Sequence, residues 1–232
     1  MLEDRLSRTI ALLGKEQALK LMNTSVMVIG LGAVGGYALE MIARLGFGEI
    51  FVVDFDCFED SNINRQILAT IDTIGHKKCE VAKCRVEVIN PDAKVWALDE
   101  KISDNNLNFI LDKKPMFVID AIDDVKAKSC LIEFLVNNDI CFVSAMGAGL
   151  KTKPEKLKLA TLDKTQGCNL AKKMRDELRK KNVDLRKVNC VFSDECVQIC
   201  KDENGNNVLG SLPIVPCCMG TMLANFVLEK CK

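Results

Sequence analysis

The chain is 232 residues long, 48% hydrophobic and 28% charged, and its 32 basic residues balance its 32 acidic ones. That length suits one domain, or one with a modest insertion, around a sizeable core. The charge balance excludes a globally basic nucleic-acid binder or membrane-surface protein, so any such partner must meet a local patch.

The opening residues, MLEDRLSRTIALLGKEQ, form an amphipathic, charged segment without the apolar core of a signal peptide. No later run of ~18 apolar residues is expected, so the sequence predicts a cytoplasmic protein with no membrane partner. Residues 26–36, VMVIGLGAVGG, read as an apolar strand entering Gly30-x-Gly32-x-x-Gly35 and a helix over 34–45. The first Gly permits a tight turn, the second lets backbone approach a phosphate, the third packs helix on strand, and the helix N-terminus attracts the anion. EIFVVDFD at 49–56 is a second strand ending in Asp54. A carboxylate about 20 residues past such glycines can hold ribose hydroxyls.

The alternation continues with a short helix near 62–67, a helix at 77–89 ended by Asn90-Pro91, a strand near 94–98 and a helix at 104–112. A strand at 116–122, a helix at 125–137 and a strand at 140–146 follow. This pattern predicts an α/β fold with a Rossmann-like, doubly wound, mostly parallel sheet. Beyond Gly147-Ala148-Gly149, strands at 156–163 and 188–193 flank a charged helix near 169–181, and antiparallel additions to the sheet are expected there. Residues 201–210 read as a polar Gly/Asn loop and 214–230 as a closing helix started near Pro216. One unit over 1–232 thus divides into a helical segment (1–25), a nucleotide-binding core (26–149) and an extension (150–232).

DFDCFEDSNINRQ at 54–66 places Asp54, Asp56, Ser61, Asn62, Arg65 and Gln66 in one loop past a strand's carboxyl end, the edge where open α/β sheets bind ligands. Lys78 follows at the start of a helix, and two fixed cations suit a polyphosphate. FVIDAIDD at 117–124 delivers Asp120, Asp123 and Asp124. Asp120, nearest the strand body, is the structural member, and a carboxylate beside phosphates is a common Mg²⁺ ligand. Glycine turn, ribose carboxylate, Arg, Lys and metal carboxylate together describe a site for ATP and Mg²⁺. Taken singly, Arg65 also suits a helix cap or a partner for Asp60, and Lys78 a solvated surface charge. Twelve cysteines without a CxxC pair read mostly as reduced core residues, and His76 as a loop residue.

The succession GxGxxG, DFDxxxxSNxxRQ, GxxK and DAxDD resembles the ubiquitin-activating-type adenylyltransferases over essentially the whole chain. Within that superfamily RLSRTIALLGKEQAL, SNINRQI, VINPDAKV, VIDAIDDVKAK, NCVFSDE and GSLPIVPCCMG resemble the dehydratases of tRNA threonylcarbamoyladenosine. One departure is Ala33, where these enzymes usually carry another Gly. The resemblance implies that Gly32 and its neighbours cradle phosphate, Asp54 binds ribose, Asn62 and Arg65 hold phosphates, Lys78 stabilises charge at the α-phosphate and Asp123 holds Mg²⁺. It implies a homodimer in which Arg8 reaches into the partner subunit's site, with 150–232 facing the substrate and forming the dimer.

The implied reaction adenylates the carboxylate of the threonylcarbamoyl group beside the tRNA anticodon, and intramolecular ring closure then releases AMP. A tRNA partner would meet the locally basic stretch at Lys151, Lys153, Lys156, Lys158, Lys172, Lys173, Arg175, Arg179, Lys180, Lys181, Arg186 and Lys187. The alternative is activation of the C-terminal carboxylate of a ubiquitin-like sulfur-carrier protein, with Cys168 or Cys190 accepting sulfur; a sulfur-donor partner stays open. An NAD-binding module would share the glycines and Asp54 but has no use for Arg65 and Lys78 together.

Overall fold

The computed structural model describes residues 2–196, 200–201 and 203–232. Three short helices, α1 (Leu2–Arg5), α2 (Ser7–Leu13) and α3 (Lys15–Met22), lead into β1 (Ser25–Ile29), α4 (Gly35–Leu45) and β2 (Glu49–Val53). Then come α5 (Lys78–Ile89), β3 (Lys94–Leu98), α6 (Asn108–Lys113), β4 (Phe117–Asp120), α7 (Val125–Asn137) and β5 (Phe142–Ala145). The last part holds β6 (Leu157–Thr161), α8 (Asn169–Lys180), β7 (Asn189–Ser193), β8 (Cys200–Lys201), β9 (Asn207–Val208) and α9 (Ile214–Cys231).

The main sheet has seven strands in the order β3-β2-β1-β4-β5-β7-β6, and every pairing but the last is parallel. All five residues of β1 are buried, as expected of a parallel strand covered on both faces. Alternate side chains feed two cores. Val26, Val28, Ile50 and Val52 pack with Leu39 and Ile42 of α4, Val86 of α5 and Leu223 of α9. Met27, Ile29, Phe51 and Val53 pack with Leu131 and Leu135 of α7 and Met174 and Leu178 of α8. Chain order reverses between β1 and β4, which opens a crevice at their carboxyl ends.

Two contacts fix α4, the helix that follows the glycine turn. Gly220 of α9 lies so close that a Cβ there would stand 2.5 Å from Val34 O and 2.8 Å from Ala38 N. On the other side Glu40, 4% exposed, accepts hydrogen bonds from Arg44 and from Arg85 of α5 at 2.6–2.9 Å.

Several expectations need correction. Residues 62–67 form no helix: a 3-10 turn spans Asp60–Asn62 and the chain continues in turns, because Asn62 spends its side chain capping Glu59. The helix expected at 104–112 begins only at Asn108. The expected antiparallel addition to the sheet is present, β6 pairing antiparallel with β7, which itself joins β5 in parallel. The polar stretch at 201–210 holds part of a hairpin, β8 pairing with β9.

The apolar run that was not expected exists. α9 has 18 residues with a mean hydropathy of 1.3, long and apolar enough by composition to cross a membrane, and half of it is buried against α4 and the sheet. The cysteines are all free, but only Cys79, Cys168, Cys190 and Cys231 are buried, so most are not core residues.

Candidate active site

The three glycines have three different physical reasons. Gly30 has φ +88°, and a Cβ there would meet the carbonyl carbon and oxygen of Ala121 at 2.8 Å, so the turn after β1 lies directly on the turn after β4. Gly35 permits the first turn of α4 to sit on Gly30, whose carbonyl oxygen is 1.7 Å from where a Cβ would be. Gly32 is different: the nearest atom to a Cβ is Gln66 Nε2 at 3.9 Å, and the space beyond is open. A phosphate can therefore approach that backbone while the protein itself leaves it free.

Asp54 directly follows β2 and stitches the crevice together. Its Oδ2 accepts from Leu31 N at 2.7 Å, inside the glycine turn, and its Oδ1 accepts from Asp56 N at 2.9 Å. Burial pushes its carboxyl above the usual aspartate value; the two backbone donors and Lys78 pull it down without cancelling that effect. The same loop returns to start α5, where Lys78 is buried at its first position with Nζ 3.3 Å from Asp56 Oδ2 and 5.9 Å from the centre of the Phe58 ring. Phe58 is fully buried, so the ammonium stands on an apolar floor with one half-exposed counter-ion.

Gln66 is buried beside Gly32, and its Oε1 has no hydrogen-bond partner among the described residues. A buried acceptor left unmet costs on the order of 1–3 kcal/mol, which marks this as a place where a ligand donor would be welcome. Asn62 is buried, with Oδ1 accepting from Glu59 N and Nδ2 donating to Ser61 Oγ, both at 3.3 Å. Arg65 donates to Ser61 O at 2.7 Å and Asn64 Oδ1 at 2.8 Å, so its guanidinium is turned onto its own loop and does not pair with Asp60.

On the facing turn the three aspartates divide. Asp120 is fully buried and pairs with Lys128 Nζ at 2.8 Å, while Ser144 Oγ donates to it at 2.7 Å. Asp124 caps α7 with one carboxylate oxygen, Oδ1 accepting from Ala127 N at 2.8 Å, so it holds the helix start beside the turn. Asp123 is exposed and, among the described residues, makes no hydrogen bond or ion pair. No group of three or more His, Cys, Asp or Glu could hold a metal among the described residues. Mg²⁺ bound to a nucleotide does not need one, since phosphate oxygens, waters and one carboxylate such as Asp123 suffice.

Arg8 is not brought to this crevice. It is exposed on α2, near Leu6, which packs on Gly46, and Arg5, which pairs with Asp92, at the amino edge of the sheet. A cavity of about 320 Å³ lined by Asn23, Gly48, Glu49, Asn90, Asp92 and Lys94 lies at that amino edge too, away from the motif residues.

The residues of the basic stretch differ in their surroundings. Lys151 is buried, donating to the carbonyls of Ser193 and Glu195 at 3.2 and 3.0 Å, and Arg175 is held by Thr165. Lys158, Arg179, Lys180, Lys181, Arg186 and Lys187 each pair with a nearby carboxylate. Lys153, Lys156, Lys172 and Lys173 are exposed and make no such ion pair among the described residues. Neither thiol named for sulfur transfer is accessible: Cys168 and Cys190 are buried, and burial pushes the Cys190 thiol up to about 12.

Lys128 was missed in the sequence. The signal was present: a carboxylate ending a wholly buried strand demands a cation, and Lys128 shares a helix face with Leu131, Ile132 and Leu135 at spacings of three, four and seven.

Sheet order, switch-point crevice and a glycine turn faced by a lysine and carboxylates define a doubly wound α/β protein with a nucleoside-phosphate site. The chain belongs to the ThiF family, whose sequence profile matches residues 6–230. It is 36% identical over 197 residues to the tRNA threonylcarbamoyladenosine dehydratase of Bacillus subtilis, covering 85% of this chain and 77% of that one. The solved structure of the Escherichia coli tRNA N6-threonylcarbamoyladenosine dehydratase TcdA in complex with ATP superposes with a TM-score of 0.90 at 31% identity, over 99% of this chain and 94% of that one. The SAMP-activating enzyme E1 of Haloferax volcanii is 33% identical over 140 residues, covering 60% of this chain and 49% of that enzyme.

Proposed function

We propose that the protein is a tRNA threonylcarbamoyladenosine dehydratase: it uses ATP to adenylate the carboxylate of N6-threonylcarbamoyladenosine beside the tRNA anticodon and closes that group into a ring. The observation that carries this is the crevice between the Gly30 turn and Lys78, in a chain that superposes almost end to end on an ATP-bound dehydratase.

A substrate carboxylate oxygen attacks the α-phosphorus and pyrophosphate leaves, which makes the acyl carbon electrophilic. The carbamoyl nitrogen attacks that carbon, loses its proton, and AMP departs; the nucleoside has then lost one water. The residues of this chain mainly position and stabilise charge, as in phosphoryl transfer generally. Backbone at Gly32 receives phosphate, Asp54 binds the ribose, Gln66 Oε1 offers an acceptor beside the glycine turn, and Lys78 exchanges Asp56 for the α-phosphate. Arg65 and Asn62 reach the outer phosphates once Arg65 leaves Ser61. Asp123 would hold Mg²⁺, which when bound would supply positive charge to the phosphate oxygens.

Two copies complete the site, with Arg8 donated in trans, because within one chain it lies at the opposite sheet edge. Residues 150–232 form the substrate side, and Lys153, Lys156, Lys172 and Lys173 are the cations left for tRNA phosphates. A tRNA-modifying role implies a cytoplasmic enzyme.

The test is AMP and pyrophosphate formation with Mg²⁺ and threonylcarbamoyl-modified tRNA, unmodified tRNA or a sulfur-carrier protein. AMP with the modified tRNA alone, together with loss of one water mass from the nucleoside, is the expected result. Turnover with the carrier protein instead would overturn it.

A further inference from the structure

The Asp120–Lys128 pair is fully buried, yet both residues lie within eight positions of the turn that carries Asp123. A buried ion pair is weak evidence for stability, because desolvating two charges costs as much as their attraction returns, and an apolar pair of similar volume often does as well. What the pair does here is positional. Asp120 Oδ1 accepts from Ile122 N at 3.1 Å, and Lys128 Nζ donates to Ile122 O at 2.9 Å while bonding Asp120 Oδ2 at 2.8 Å. Both polar groups of Ile122 are therefore fixed by one ion pair, and the second belongs to the peptide bond that leads into Asp123. The preceding Ala121 carbonyl is the group on which Gly30 rests. One clamp thus sets the floor of the glycine turn on one side and the direction of the free carboxylate on the other.

We propose that Lys128 is a positioning residue of the nucleotide site: through Ile122 it orients Asp123 toward the metal-bound phosphates and holds the Ala121 backbone against Gly30. It touches neither nucleotide nor metal itself. The inference rests on the reading of the crevice as a MgATP site, and it adds the group that pre-organises it.

The test uses the full chain with Asp120→Asn and Lys128→Met combined, so that no buried charge is left unpaired. Affinity for a non-hydrolysable ATP analogue is measured by calorimetry with and without Mg²⁺, beside Tm. Affinity in Mg²⁺ is expected to fall about tenfold or more, as for removal of groups that orient a metal ligand. The gain on adding Mg²⁺ should shrink toward nothing while Tm stays near wild type. Ser144→Ala, which removes one partner of Asp120 but leaves Ile122 clamped, should lower Tm and keep the affinity. Should the double variant fail to fold, Asp120→Asn with Lys128→Gln takes its place with the same readings.

Unchanged affinity and Mg²⁺ response in the folded variant would overturn the inference, as would an equal loss of affinity in Ser144→Ala. The two readings separate cleanly. A wild-type protein that binds the Mg²⁺ analogue in a Lys128-dependent way but makes no AMP with modified tRNA keeps this inference and removes the proposed reaction. Failure of the wild type to bind the analogue removes both.

Discussion

Lys78 Nζ lies 3.3 Å from Asp56 Oδ2, and the lysine is buried while the aspartate is half exposed. The cation is held in place by the Phe58 floor and the helix start, and its counter-ion is free to move into water. On the proposed reading, a phosphate arriving in the crevice would displace Asp56 without rebuilding the lysine, the arrangement that electrostatic stabilisation of a developing charge needs.

Lys78→Ala is expected to cut AMP formation on modified tRNA by roughly 10²–10³-fold, the loss seen when one pre-organised charge or donor is removed. Tm should change little, because Asp56 is left in contact with solvent. Measuring turnover and thermal unfolding on the same preparation checks both halves; a large fall in Tm would assign the lysine to structure.

Two glycine substitutions should behave oppositely. At Gly35 a methyl would be 1.7 Å from Gly30 O, so Gly35→Ala must shift backbone and cost about 1–3 kcal/mol or more. At Gly32 the methyl meets nothing nearer than 3.9 Å, so Gly32→Ala should unfold at the wild-type temperature yet bind an ATP analogue more weakly, because on the proposed reading the methyl would stand in the phosphate's approach. Equal Tm values for the two variants would show the turn to be looser than its geometry implies.

The Asp54 carboxyl is raised above its usual value by burial, so it takes up a proton at a higher pH than an ordinary aspartate. Its ionised form is the one expected to accept ribose hydroxyls, so nucleotide affinity should begin to fall on acidification earlier than an unperturbed aspartate would allow. Calorimetric titration of an ATP analogue across pH, in wild type and Asp54→Asn, reads this directly. The variant should bind weakly at every pH and lack the acid step.

Glu40 titrates the other way. Burial works against its ionised form, but hydrogen bonds and charge from Arg85 and Arg44 outweigh it and hold the carboxyl below the usual value. Its folded pKa is depressed, so its contribution is complete above the unfolded value, about 4.3, and is lost as pH falls through the folded one. The Tm difference between wild type and Glu40→Gln should be largest near neutrality and shrink in acid. A constant difference would point to lost packing.

Thiol accessibility separates the carrier-protein alternative from the dehydratase reading without any substrate. Brief alkylation of the native protein followed by mass spectrometry should mark Cys57, Cys84, Cys196 and Cys200 and spare Cys168 and Cys190. Rapid labelling of Cys190 would revive a sulfur-accepting role.

The sequence by itself determined the alternation of strands and helices, the glycine turn, the carboxylate at the end of β2 and the lysine at the head of α5. Each of these is written in residues close together along the chain, where periodicity, turn chemistry and helix starts are local matters. Only the tertiary structure decided the rest, because contacts between distant segments leave no spacing to read. Asp124 and Asp123 look alike in sequence, and the helix that begins at Val125 takes one and leaves the other. Lys151 reads as one more cation of a basic stretch until Ser193 and Glu195 enclose it. Lys128 is one lysine among 32 basic residues until β4 and α7 meet and a buried carboxylate claims it, since a charge's role is set by what is packed against it in three dimensions.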